Sequence, residues 1–73
     1  MTPLPLISQL RSRLESVLLV LDSPATAATL ARALDTEEAA VEDLLRTVAT
    51  EFDERGSGFD LRESEEGWRL YTR

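Results

Sequence analysis

Paired carboxylates are the side chains of this chain that come nearest to catalytic chemistry. Glu38 and Glu42 lie four residues apart, which places both on one face of a helix. Two such groups could share general acid and base work, or bind a divalent cation. Exposed acids at this spacing are also common on solvated helices, and catalysis needs an enclosing pocket that a chain of 73 residues hardly provides. The solvated helix face is therefore the favoured interpretation.

The other reactive motifs are incomplete. In the stretch 53–64, Asp53 and Gly58 match positions one and six of a calcium-binding loop, but Arg55 and Ser64 stand at positions three and twelve, where carboxylates are expected. The sequence Gly56-Ser57-Gly58 lacks the lysine and the spacing of a phosphate-binding loop. The chain has no histidine and no cysteine, which removes imidazole bases, thiol nucleophiles and thiolate metal sites. The sequence predicts no enzyme activity, no cofactor and no metal site.

Length and composition indicate one small domain, spanning residues 1–73. The absence of cysteine fits a reducing compartment. The apolar run at 17–21 is too short to cross a bilayer, and the N-terminus lacks the pattern of a signal peptide. The cytoplasm is therefore the expected location.

A first helix is predicted over residues 4–21, because apolar residues recur there at steps of three and four. The residues of this face are Ile7, Leu10, Leu14, Val17 and Leu21. Leu18, Leu19 and Val20 are consecutive, so this end of the helix is expected to be buried from two sides. Leu4 and Leu6 add apolar surface at the other end, where a small domain has few neighbours to cover it.

Two more helices follow a turn at Pro24. Thr26 is expected to cap a short helix that reaches Leu34, and Asp35 or Thr36 is expected to cap the third. The third helix carries a regular apolar stripe, formed by Val41, Leu44, Leu45, Val48 and Phe52. It should end at Gly56, since glycine readily adopts the left-handed conformation that closes a helix.

From Phe59 onward the apolar period changes to two, which predicts a hairpin with Glu65 and Glu66 at its tip. In this register Leu61 lies opposite Leu70, Glu63 lies opposite Trp68, and Arg62 lies opposite Arg69 on the outer face. Three helices followed by a two-stranded wing make a winged helix, a mainly α fold with a small β-hairpin. The predicted core anchors are Leu14, Leu18, Leu30, Leu34, Val41, Leu45, Val48, Phe52, Phe59, Leu61, Trp68 and Leu70.

Winged helices often bind DNA, but the charges of this chain argue against that use. The formal net charge is −6, and residues 36–54 hold seven acids and one arginine in the helix that would enter the major groove. The wing carries or adjoins four arginines, namely Arg55, Arg62, Arg69 and Arg73, interleaved with as many acids. A DNA-binding winged helix of a transcription regulator and a passive packing domain are the alternatives to a protein-binding module.

Several blocks of the sequence carry a family resemblance. They are Leu18-Leu19-Val20-Leu21, Ser23-Pro24-Ala25-Thr26, Leu30-Ala31-Arg32-Ala33-Leu34, Val41-Glu42-Asp43-Leu44-Leu45, Phe59-Asp60-Leu61-Arg62-Glu63 and Gly67-Trp68-Arg69-Leu70-Tyr71-Thr72-Arg73. Together, over roughly residues 10–73, they resemble the N-terminal winged-helix domain of segregation and condensation protein B, ScpB. The chain departs from the common pattern at residues 1–6 and at Asp35, where a glycine is frequent.

The resemblance implies a non-enzymatic subunit of the bacterial chromosome condensation complex. Proteins of this family resemble a tandem of two winged helices that associates with the kleisin ScpA and, through it, with the SMC ATPase. The N-terminal winged helix is associated with homodimer formation, and a second winged helix would be expected after residue 73. The resemblance also implies a cytoplasmic, nucleoid-associated protein.

A dimer or partner surface is predicted on the first helix, and the outer face of the wing is a second candidate. The residues on the helix are Leu4, Leu6, Leu10, Arg11 and Arg13, and those on the wing are Arg62, Arg69 and Tyr71. Arginines on these surfaces could meet the acidic third helix of a second copy, which would give a two-fold contact of complementary charge.

Overall fold

The computed structural model describes the backbone of residues 6–73 and the side chains of residues 9–73. Three helices precede one antiparallel hairpin, as the sequence predicts, so the winged-helix fold is confirmed. The elements are α1 (Leu6–Val20), α2 (Ala27–Ala33), α3 (Glu38–Glu54), β1 (Phe59–Ser64) and β2 (Gly67–Thr72). None of the helices in the described range has both the length and the apolar character needed to cross a membrane.

The ends of α2 are fixed by two local motifs. At its start the backbone N–H of Thr29 donates to Oγ1 of Thr26 over 3.1 Å, which confirms Thr26 as the cap. At its end Asp35 takes a left-handed conformation with φ of 52°, and the N–H of Thr36 donates to the carbonyl of Ala31 over 2.9 Å. This is a Schellman closure, and aspartate is among the few residues that tolerate its left-handed position.

The closure of α2 explains why the expected cap of α3 is wrong. The N-cap of α3 is Glu37, which makes no capping hydrogen bond with its side chain. Asp35 and Thr36 are two and one residues too early, respectively, because both belong to the turn that ends α2. The other end of α3 agrees with the prediction. Gly56 is left-handed there with φ of 60°, and the N–H of Ser57 donates to the carbonyl of Phe52 over 2.9 Å.

The hairpin has the predicted register. Leu61 pairs with Leu70, Arg62 with Arg69 and Glu63 with Trp68, with residues 65–66 forming the tip. The loop before α2 adds a short third partner that the sequence pattern did not indicate. Ala25 and Trp68 exchange two backbone hydrogen bonds, of 3.0 and 2.7 Å, so the hairpin is joined to the helical part through its second strand.

One apolar core lies between the three helices and the inner face of the wing. Its buried members are Leu14, Leu18, Ala27, Leu30, Ala31, Leu34, Val41, Leu44, Leu45, Val48, Phe52, Leu61 and Trp68. Leu70 packs against this core but is only half-buried. The expectation that Phe59 is a core anchor is wrong, since its side chain is 41% exposed. It stands at the open end of the hairpin, opposite Thr72, and covers the ring of Phe52 from outside at 6.3 Å.

The C-terminal end of α1 also differs from the expectation. Leu18 is buried, but Leu19 and Val20 are 62% and 75% exposed, so this end is not covered from two sides. Successive helical residues are rotated by about 100°, so Leu19 and Val20 point away from the core when Leu18 points into it. No element of the described chain lies over them closely enough to bury them.

Candidate functional site

The acidic pair at the start of α3 is not arranged as a reactive centre. Glu42 accepts a hydrogen bond from Arg46 over 2.6 Å, and Glu38 lies exposed in the first helical turn. Among the residues that the structure describes, no group of acids is arranged to hold a metal ion. The pair therefore belongs to the solvated face of the helix.

Trp68 connects the wing to α3. Its side chain is only 4% exposed, and the guanidinium carbon of Arg46 lies 5.8 Å from its ring centroid. Arg46 also reaches Glu63, the cross-strand partner of Trp68, at 3.7 Å. The indole Nε1 is buried and has no acceptor in the described structure. Trp68 is therefore a core anchor, as predicted, and Arg46 is the polar residue that covers it.

The outer face of the wing groups three of the predicted site residues. Two guanidinium groups lie close to the ring of Tyr71. The guanidinium carbon of Arg62 is 5.7 Å from the ring centroid, and that of Arg69 is 5.8 Å from it. Arg62 also donates a hydrogen bond to Asp60. That bond, followed by the charge of Asp60, raises the pKa of Arg62 above its ordinary value. The aromatic ring and the carboxylate thus compensate the pairing of two like charges across the hairpin.

The remaining arginines of the wing region are engaged within the chain. Arg73 bridges to Asp53 of α3 over 2.6 Å and donates to the carbonyl of Phe59 over 3.1 Å. Arg55 lies 5.1 Å above the ring of Phe52. The arginines that could have contacted phosphates therefore lie beside carboxylates or on aromatic rings, which weakens the case for a DNA-binding wing.

The structure separates the predicted site residues of α1. Arg11 is half-buried and pairs with Glu51 of the same chain over 2.5 Å. Its charge is therefore compensated within its own chain and not by the acidic helix of a second copy. Arg13 is exposed. Leu10 is half-buried against the core. Leu4 lies outside the described residues, and Leu6 begins α1 with a side chain that is also outside them.

Two surfaces were not found from the sequence. The first is the exposed apolar pair of Leu19 and Val20, which a helical projection would have separated from Leu18. The second is a shallow groove of about 310 Å³ between α1 and α3, lined by Leu10, Ala40, Asp43, Leu44 and Thr47. A groove of this kind depends on how two helices cross, which the apolar periodicity does not specify.

Comparison with known proteins decides the family of the chain. The model of the family described as segregation and condensation complex subunit ScpB matches residues 12–73, most of the chain. The chain belongs to the ScpB family. The description of this family refers to a subunit of a complex and does not mention a reaction. No curated protein sequence matches the chain.

Solved structures extend the ScpB assignment to the fold. The chain superposes on ScpB from Mycobacterium tuberculosis with a TM-score of 0.90 and 43% identity, covering 99% of this chain and 44% of that one. It therefore spans less than half the length of that relative. A structure described as a dimer of the ScpB N-terminal domain complexed with ScpA peptide matches with a TM-score of 0.82 and 15% identity, covering 96% of this chain and 82% of that one.

A conserved hypothetical protein from Chlorobium tepidum matches with a TM-score of 0.75 and 17% identity, over 92% of this chain and 43% of that one. At these lower identities the likeness concerns the fold alone. In this chain the winged helix has an acidic α3 and a wing that carries arginines.

Proposed function

We propose that this chain is a non-enzymatic interaction module of a segregation and condensation complex, in which it self-associates and binds ScpA. Through ScpA it contributes to an assembly with the SMC ATPase in the cytoplasm, at the nucleoid. The match of residues 12–73 to the ScpB family carries this proposal. The related dimer of an ScpB N-terminal domain complexed with ScpA peptide supports its two parts, self-association and ScpA binding.

In this proposal the chain acts as the N-terminal domain of an ScpB protein whose second winged helix follows residue 73. It covers 82% of a chain that is itself described as an ScpB N-terminal domain, but only 44% of the ScpB chain from Mycobacterium tuberculosis. The first winged helix is then the part that brings two ScpB subunits together.

The proposed self-association surface is the outward side of α1. The sequence predicts for it Leu4, Leu6, Leu10, Arg11 and Arg13, with Arg62, Arg69 and Tyr71 of the wing as its second part. Leu10 and Arg11 are half-buried within the chain, so they do not form part of the direct contact. Leu19 and Val20 extend the surface, because exposed aliphatic side chains of this size favour a protein contact. Arg11 contributes through its bridge to Glu51, which holds α1 against α3.

Co-elution with ScpA tests the ScpA half of the proposal. The chain is mixed with the ScpA protein of the same organism and separated by size-exclusion chromatography with light scattering, alongside each protein alone. A peak that contains both proteins and whose mass exceeds that of either protein alone is the expected result. Independent elution of the two proteins at all ratios would contradict it.

A further inference from the structure

The groove between α1 and α3 has the dimensions of a site for one or two side chains. Its volume of about 310 Å³ lies at the lower end of the range for small-molecule pockets. The lining residues of α3, from Ala40 to Thr47, span roughly 10 Å along the helix, about two turns. One turn beyond Thr47, Glu51 is bridged to Arg11 of α1 over 2.5 Å.

The walls of the groove are apolar. Leu10 and Leu44 contribute aliphatic side chains, and Ala40 adds a methyl group on an exposed stretch of helix. The hydroxyl of Thr47 donates to the carbonyl of Asp43 over 3.0 Å, so its hydrogen is already used inside the helix. An occupant therefore meets hydrocarbon along these residues.

The charge around the groove has one sign. Asp43 lines the groove, is exposed and makes no ion pair with any described residue. Glu37 and Glu38, at the start of the same helix, are also exposed and unpaired within the described range. By contrast, Arg46 of α3 pairs with Glu42 over 2.6 Å, and Arg11 of α1 pairs with Glu51 of α3. The free charge at the groove is therefore negative.

We propose that this groove is the docking site for a short basic-aliphatic segment of a partner subunit. An aliphatic side chain of that segment enters between Leu10 and Leu44, and an arginine or lysine within one helical turn of it pairs with Asp43. The proposal rests on the function proposed above, because it assigns ScpA binding to this surface. A segment of about two helical turns matches the length of the lining residues.

Overlapping peptides that cover the ScpA sequence of the same organism provide the probes. Each is fluorescein-labelled and titrated with the chain by anisotropy, and the tightest binder is then tested on four variants. Ala40→Gln fills the groove without changing charge, and Ala39→Gln is its matched control, being an exposed alanine of the same helical turn that does not line the groove. Asp43→Asn removes the lining charge, and Glu54→Gln removes an exposed acid at the far end of α3.

The expected binder contains an aliphatic residue next to a basic one. Ala40→Gln should weaken its binding at least tenfold, and Asp43→Asn by about threefold, as for an exposed ion pair. Ala39→Gln and Glu54→Gln should leave the affinity within twofold. Binding that Ala40→Gln leaves unchanged would overturn the groove assignment while leaving ScpA binding intact. A binder that is acidic, or an absence of binding by every peptide, would also overturn it, and co-elution of the whole proteins remains the separate test of the proposed function.

Discussion

Gly67 and the backbone of Ala25 are so close that a β-carbon on Gly67 would lie 2.4 Å from the carbonyl carbon of Ala25. Gly67 also has φ of 129°, a conformation that side-chain-bearing residues rarely adopt. The contact sits beside the two hydrogen bonds between Ala25 and Trp68. Gly67, the first residue of β2, is therefore where the wing packs most closely against the loop before α2.

Replacing Gly67 by alanine should lower the free energy of unfolding by about 3 kcal/mol, because strain in φ and a backbone clash act together. Urea unfolding followed by circular dichroism measures the change. Gly58→Ala is the control, since a β-carbon there meets nothing within 4 Å. It should be neutral or stabilising by up to about 1 kcal/mol. Equal effects of the two substitutions would contradict this account of Gly67.

Much of this framework could be predicted from the sequence, because it depends on local signals. The change of apolar period at Phe59 fixed the hairpin register, and the glycine at position 56 fixed the end of α3. The pairing of Ala25 with Trp68 could not be predicted, since it joins residues far apart in the chain through a single bridge. The start of α3 was misplaced because two good capping residues, Asp35 and Thr36, were used to close α2 instead.

Removal of the Arg46 side chain should destabilise the domain and change the environment of its single tryptophan. Arg46→Ala removes the cation–π contact with Trp68, an interaction of about 0.5–1 kcal/mol at an exposed site. The midpoint of urea unfolding should fall, and the emission of Trp68 should shift to longer wavelength. Arg32→Ala removes an exposed arginine that makes no ion pair within the described chain and should do neither. An unchanged emission spectrum for Arg46→Ala would show that Arg46 does not cover the indole.

Duplex DNA should bind weakly. Helix α3 is acidic, and the wing arginines contact groups of their own chain: Arg62 pairs with Asp60, Arg73 pairs with Asp53, and Arg69 lies over the ring of Tyr71. Few positively charged side chains therefore remain free to contact phosphates. Anisotropy of a labelled duplex at physiological salt should give a Kd weaker than about 100 µM, the weak end of non-specific binding. Tighter binding that falls steeply with salt and is lost in Arg62→Ala and Arg69→Ala would restore the transcription-regulator alternative.

The candidate site was less predictable than the fold because surfaces depend on which residues are left uncovered. Helical periodicity placed Leu14 in the core correctly. It gave no account of where α1 extends beyond its neighbours, so Leu19 and Val20 were expected to be buried and are exposed. Likewise, the charge pattern suggested that Arg11 meets an acidic helix of a second copy, whereas Glu51 of its own α3 lies within 2.5 Å.

Sedimentation velocity of the chain, from low to high micromolar concentration, tests most directly the proposal that it self-associates. Leu19→Asp and Leu6→Asp place a charge on the proposed α1 surface, and Thr50→Asp places the same charge on an exposed position of α3 as a control. We predict that the unmodified chain and Thr50→Asp approach the mass of two chains, and that each α1 variant weakens the dimer at least tenfold, about 1.4 kcal/mol. A monomer at every concentration, or a dimer that neither α1 substitution weakens, would contradict self-association through α1.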